Sequence, residues 1–289
     1  GDFLSALIVL VIVAALCALT YYIIAHSFIK IATASQNVSK KKYTEKAVKS
    51  KSVNSAMISK EIKRFVSSPN YMLNCGLGIL FLIISGVFAL FKGAWFTDKI
   101  VFLLGSDSFI TVSAVAVICL IASMNDISAP SISLEGQNIW LAQSLPITSW
   151  QALRAKRDCH LLLTGIPTLF CSICAVIALK PTALGAIMII VMPEVFVLFF
   201  SMLGLMLNLK TPNLKWTNEI TPIKQSMSVF ICLFGGWIYS AVIMGAYFPF
   251  REKISSELYL VGAAAFTGLI CLALDSWLRK KGTKIFAEL

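Results

Sequence analysis

Residues 183–207 read ALGAIMIIVMPEVFVLFFSMLGLML, twenty-five positions with one ionisable side chain, Glu194. A hydrocarbon core about 30 Å thick calls for about 20 apolar residues of helix. Backbone groups in lipid must find their partners inside the segment. The stretch therefore predicts a membrane-spanning helix. Six more stretches share its character, at about 3–25, 71–91, 107–124, 159–179, 226–248 and 257–278. The whole chain agrees: of its 289 residues 58% are hydrophobic and 13% charged, with a mean hydropathy of +0.83. No soluble domain of this length is so apolar. The fold class expected is all-α, a polytopic membrane bundle of seven transmembrane helices.

The first of these stretches lacks the basic flank and the small-residue cleavage site of a secretory signal. It is expected to be the closing helix of a preceding module absent from this sequence, and the chain accordingly begins at Gly1. Residues 1–30 thus form a leading span, residues 31–56 a basic linker rich in Lys, Ser, Thr and Asn, and residues 57–289 a six-span module.

The net charge of +11 raises the question of nucleic acid, but its distribution argues otherwise. Twenty of the 25 Lys and Arg fall in 30–69, 126–158, 208–225 and the tail after 278. The intervening connections hold only Lys92, Lys99, Lys180, Arg251 and Lys253. By the positive-inside rule the first set is cytoplasmic, so the excess is topological, with anionic headgroups a further attraction. The chain is expected in the cell membrane, amino terminus outside and carboxyl terminus in the cytoplasm, with membrane lipids and no nucleic acid as partners.

Eight cysteines are scattered, mostly inside spans. Cys171 and Cys174 form a C-x-x-C without a second pair, and read as small apolar side chains rather than metal ligands. His26 and His160 fall near span ends and read as incidental rather than as haem ligands.

At the end of the linker, Ile58, Ile62, Phe65 and Val66 recur on one helical face, with Lys60, Lys63 and Arg64 on the other. This predicts a short helix over 57–67 lying in the membrane interface, turned into the next span at Pro69. Between the third and fourth spans, SISLEGQNIWLAQSLPITSWQALRAK (131–156) is partly apolar where a plain connection could be short and polar. Leu134, Trp140 and Leu145 offer apolar faces, Glu135 and Asn138 polar ones, Gly136 follows Glu135, Ser133 can start a helix and Pro146 end it. A helix there, parallel to the membrane, can pass force to the two spans it joins; the plainer alternative is a loop anchored in the interface by Trp140.

Glu194, after Pro193, is the one carboxylate deep in a span. A charge there is expensive, so it is expected to be protonated or paired, lining a substrate path, relaying a proton, or hydrogen-bonded across helices. The chain shows no G-x-x-x-x-G-K-[ST], H-E-x-x-H or G-x-S-x-G, so it carries no ATP site of that type and catalysis by this chain alone is not expected.

Three motifs occur in matching order. Ser133-Leu-Glu-Gly-Gln-Asn-Ile-Trp140 with Ser144-Leu-Pro-Ile147 and Lys156 resembles a pattern of bacterial type-2 ABC exporter permeases. Trp216-Thr-Asn-Glu219 with Lys224-Gln-Ser226, and the run from Lys60 to Tyr71, resemble the same family. The resemblance spans about 60–280. It implies a six-helix permease module, a connecting helix at 57–67 (Ile58, Ile62, Lys63, Arg64, Phe65), and a coupling helix at about 134–145. The coupling helix would dock on an ATPase subunit through Leu134, Glu135, Gly136, Asn138, Trp140, Leu145 and Pro146, with Glu135 the charged contact. ATP and Mg would sit on that ATPase, this chain binding no cofactor or metal, and a second permease module would complete the pore. One departure stands: relatives place re-entrant helices between the last two spans, and residues 249–256 are too short for that. The alternative function is an ATPase-independent carrier using Glu194 for proton or cation coupling; an intramembrane enzyme and a passive scaffold are weaker readings.

Overall fold

The structure, a computed structural model, describes residues 3–33 and 52–289, and the chain divides into two units, residues 1–50 and 51–289. In the first unit a single helix, α1, runs Phe3–Thr33. The greater part of the expected linker lies outside the described residues.

The second unit is helical throughout its regular structure. It runs through α2 (Val53–Ser67), α3 (Pro69–Cys75), α4 (Leu77–Leu104), α5 (Phe109–Ala122), α6 (Ile139–Ser144), α7 (Ser149–His160), α8 (Ile166–Leu179) and α9 (Ala183–Lys210). It closes with α10 (Ile220–Lys224), α11 (Met227–Gly245), α12 (Ser256–Trp277) and α13 (Thr283–Glu288). A π-helical turn, Leu161–Gly165, joins α7 to α8, and a second, Leu278–Gly282, joins α12 to α13.

Among the described residues six helices, not seven, are long and apolar enough to cross a membrane: Ala6–Phe28, Leu77–Leu104, Ser149–Leu179, Ala183–Lys210, Ile220–Phe250 and Ser256–Glu288. The expected third span is α5, whose 14 residues rise about 21 Å, short of a hydrocarbon core of about 30 Å. It is nonetheless mostly buried. Val112, Val115 and Ile118 are buried with Leu82 of α4, Met192 and Phe196 of α9 and Cys232 of α11. Beyond Ala122 the chain turns irregular and, the half-buried Met124 apart, stays buried as far as Gly136.

Boundaries elsewhere follow local chemistry. Ser52 caps α2 by accepting from the Ser55 amide, so that helix starts inside the expected linker. Thr148 and Gln151 form a capping box, which starts the fourth expected span ten residues early, at Ser149. Thr182 and Ser255 cap α9 and α12 through their hydroxyls. The α4 and α8 backbones approach closely because α4 presents glycine: a Cβ at Gly86 would stand 3.1 Å from the Cys171 Cα, and one at Gly93 3.0 Å from the Ala178 carbonyl oxygen.

Within the second unit, the described part of the first basic segment, from residue 52 on, meets the other three at one end of the bundle. There Met57, Ile132, Ala142, Leu153, Leu209 and Phe286 share one apolar cluster. A second cluster joins Phe65, Tyr71, Ile127, Leu134 and Ile223. At the opposite end the α11–α12 connection is only a 3-10 turn, Phe248–Phe250, and seven further residues.

Candidate functional site

The basic end is organised around Glu135. Its Oε1 lies 2.7 Å from Lys156 Nζ and 3.3 Å from Lys60 Nζ, and its Oε2 2.5 Å from Arg64 Nη2. Lys156 also reaches Glu61 Oε1 at 3.1 Å and donates to the Ser131 carbonyl at 3.0 Å. Three helices or turns are tied here: α2 through Lys60, Glu61 and Arg64, the 133–138 turn through Glu135, and α7 through Lys156. Burial alone would raise the Glu135 pKa. The charge of Lys156 first, then the hydrogen bond and charge of Arg64 and the charge of Lys60, hold it well below the ordinary carboxylate range. The side chain expected to reach a partner is thus turned inward, its two oxygens taken by cations of this chain.

The expected helix over 134–145 is two pieces. Ser133–Asn138 is a 3-10 turn broken at Gly136, whose φ of 57° and ψ of −142° suit glycine, and where a Cβ would stand 3.2 Å from the Trp216 ring. After it, α6 buries Ile139 and Ala142 and leaves Trp140 and Leu141 outward, 60% and 53% exposed, with Leu145 39% exposed beyond. Gln143 Nε2 donates to the Phe286 carbonyl at 2.9 Å, pinning α6 to α13. Leu134, Glu135 and Gly136 are therefore the seat of the segment, and Trp140, Leu141 and Leu145 its outer ridge. Asn138 is exposed beside them, and Leu145 turns extended before Pro146.

The stretch expected as the connecting helix, 57–67, is helical as part of α2, with an inner face other than the one the periodicity gives. Met57, Glu61 and Phe65 are buried, Ile58, Ile62 and Arg64 are half-buried, and Lys63 and Val66 are exposed. Glu61, which the periodicity leaves unassigned, is buried among three cations, Lys156 at 3.1 Å, Arg64 at 3.6 Å and Lys60 at 3.9 Å.

The irregular course from Ser123 to Ile132 departs from the sequence expectation, in which its first two residues read as the end of a span and the middle as plain connection. Buried backbone must be hydrogen-bonded, and side chains supply the partners. Asn208 Oδ1 accepts from the amides of Ile132 and Ser133 at 2.8 and 3.0 Å, and its Nδ2 donates to Ser133 Oγ at 2.8 Å. The Tyr71 hydroxyl donates to the Ile127 carbonyl, Ser228 Oγ to that of Ala129 at 2.8 Å, and Trp216 Nε1 to that of Ser133 at 2.6 Å. His160 Nδ1 accepts from the Ser128 amide at 3.2 Å, which gives this histidine a structural place. A polar Asn208 at the end of an apolar span was the available signal. Asp126 lies in the same segment, and burial raises its pKa well above the ordinary value.

Glu194 lies apart, midway along α9 after the buried Pro193. Its Oε1 is buried without a hydrogen-bond partner among the described residues. Its Oε2 stands 3.1 Å from where a Cβ would project at Gly165, the last residue of the π-helical turn.

A family described as membrane proteins of 12 TMs matches residues 2–274. The chain belongs to that family. No curated protein and no solved structure matches it. The six candidate spans among the described residues are half the number in the 12-TM family's description. The multi-pass membrane character expected from the sequence is thereby shown by the family and by the helices together.

Proposed function

We propose that this 12-TM family member is the permease of an ATP-driven exporter of the type-2 ABC kind, moved by a separate ATPase subunit. The observation that carries the reading is the α6 ridge: Trp140, Leu141 and Leu145 stand exposed at the basic end, on a base held by the Glu135–Lys156 pair. Apolar side chains grouped on a water-facing surface mark an interaction site, and a ridge that follows directly on the turn tied to α2 and α7 through Glu135 can move both. The positive-inside rule puts that end in the cytoplasm, where an ATPase holding ATP and Mg would dock; this chain itself has no hydrolytic role. A family description of 12 spans against six here favours a second module, in one longer polypeptide or a second copy.

The test is purification of the tagged full chain from its own cells, with mass spectrometry for a protein carrying G-x-x-x-x-G-K-[ST]. Trp140→Ala with Leu141→Ser removes that ATPase and its hydrolysis from the preparation while leaving the melting temperature unchanged. Retention of the ATPase by the double variant overturns the docking reading. A second reading, an ATPase-independent carrier, is favoured by Glu194 Oε1, buried with no hydrogen-bond partner among the described residues.

A further inference from the structure

Two cavities meet at the end of the bundle opposite the basic segments. One, of about 580 Å³, opens between the start of α5, the α8–α9 turn and the α11–α12 turn, and is rimmed by Asp107, Lys180, Arg251, Glu252, Lys253 and Glu257. The other, of about 530 Å³, is an apolar groove along the α11–α12 seam, floored by Gly262 and Ala263 and walled by Val242, Leu258 and Phe266. Ile254 lines both, so the polar mouth continues into the apolar groove.

Each half has the chemistry of one part of an amphiphile. From Leu258 to Thr267 the groove follows α12 for about 14 Å, close to half of a hydrocarbon core of about 30 Å, the depth of one leaflet. Its hydroxyls are already engaged: Tyr259 donates to the Ile243 carbonyl at 2.9 Å, and Tyr239 is hydrogen-bonded to Thr267. A Cβ at Gly262 would meet nothing within 4 Å, which leaves an open floor.

The mouth holds both signs of charge. Glu257 accepts from Thr182 Oγ1 at 2.9 Å, and Glu252 pairs with Arg251 at 3.7 Å. Among the described residues Asp107, Lys180, Lys253 and Glu257 take part in no ion pair, and Glu257 has the Thr182 hydroxyl, which leaves two cations and the Asp107 carboxylate without a partner of either kind around one cavity. Lys180 ends α8 with φ 47°, a left-handed conformation that glycine adopts without strain. A lysine there keeps a cation at the rim in spite of its backbone.

We propose that this cleft binds a zwitterionic phospholipid of the ethanolamine class, with the phosphate between Lys180 and Lys253, the ammonium on Asp107 and an acyl chain in the α11–α12 groove. The site goes beyond the export reading and stands whether or not an ATPase drives the chain. A purely anionic headgroup would satisfy the lysines and leave Asp107 opposed; a packed helix of a second copy would fill the groove and leave the mouth empty.

The test is native mass spectrometry of the full chain in detergent, titrated with phosphatidylethanolamine or phosphatidylglycerol of matched acyl chains. The ethanolamine lipid binds about tenfold more tightly. Gly262→Leu, which fills open space and leaves the melting temperature unchanged, abolishes retention of both lipids at the same site. Asp107→Asn and Lys253→Gln each bring the headgroup preference to about unity. Equal binding of the two lipids by the unaltered chain overturns the proposal. So does retention unaffected by Gly262→Leu, or a dimer insensitive to either lipid.

Discussion

Lys156 Nζ stands 2.7 Å from Glu135 Oε1, with both side chains sealed from solvent. Twenty-one residues of sequence separate them, and what joins them is the fold: α7 brings the lysine under a turn that has just left the buried segment. An ion pair taken out of water gains little over a packed apolar pair, but losing one partner strands the other, at about 3–5 kcal/mol. Lys156→Met leaves Glu61 and Glu135 facing a methyl group, with only Lys60 and Arg64 to balance them. The expected result is a fall of about 3 kcal/mol in stability, read as a lower unfolding midpoint in detergent. A Lys156→Met, Glu135→Leu double variant is expected to recover part of that loss. Additive losses would mean the two residues act separately.

The two carboxyls of this region give opposite pH dependences. Glu135 has a folded pKa held below its unfolded value of about 4.3. Its stabilising contribution is full above that value and is lost as pH falls toward the folded pKa. Glu135→Gln therefore flattens the acid limb below about pH 4. Asp126 has a folded pKa raised by burial. The folded state then holds a proton that the unfolded state has released, so stability falls as pH rises from about 4 toward the folded pKa. Asp126→Asn removes that penalty and gains on the unaltered protein by up to about 1.4 kcal/mol per pH unit across that window. Melting curves of the three proteins between acid and neutral pH check both signs.

Much of the bundle was legible because lipid imposes one rule on every crossing segment. The long apolar runs of α4, α9, α11 and α12 follow from it directly, with ends displaced by caps such as Thr148–Gln151 that lie outside the apolar run. What was not legible depends on partners distant in sequence. Glu135 reads as an outward charge until Lys156 and Arg64 are placed beside it. Glu61 carries no signal of its own in the helix periodicity, and its burial follows only once α7 brings Lys156 to it. The 107–124 run reads as a full span because hydropathy measures apolarity and not helical length; α5 stops at Ala122, where Asn208, Ser228 and His160 make a non-helical course affordable.

Asn208 is the plainest test of that substitution of side chains for helix. Its Oδ1 takes two backbone amides at 2.8 and 3.0 Å, and its Nδ2 serves the Ser133 hydroxyl. Asn208→Ala leaves those donors buried and unsatisfied, each costing about 1–3 kcal/mol. Asn208→Leu, nearly isosteric and apolar, restores packing but not the acceptor. Both are expected to destabilise by about 3 kcal/mol or more, and hydrogen exchange at the amides of Ile132 and Ser133 is expected to accelerate in both. A leucine variant as stable as the unaltered chain would show that the segment is held by packing alone.

Glu194 separates the two functional readings. Its buried Oε1 lacks a partner among the described residues and its Oε2 faces Gly165 at the π-helical turn, so a glutamine fits the same space and offers a donor to that turn. Glu194→Gln removes titration and little else, with stability expected to move by less than about 1 kcal/mol. In vesicles loaded with a pH-sensitive dye and given an imposed proton gradient, a carrier working through this carboxyl would dissipate the gradient faster than empty vesicles, and the glutamine variant would stop it. For a permease driven through the α6 ridge, the expected traces of the unaltered chain, the glutamine variant and empty vesicles superimpose. ATP hydrolysis by the permease–ATPase complex then survives the glutamine change and fails on loss of Trp140 and Leu141, because the force enters at the basic end and Glu194 lies midway along α9.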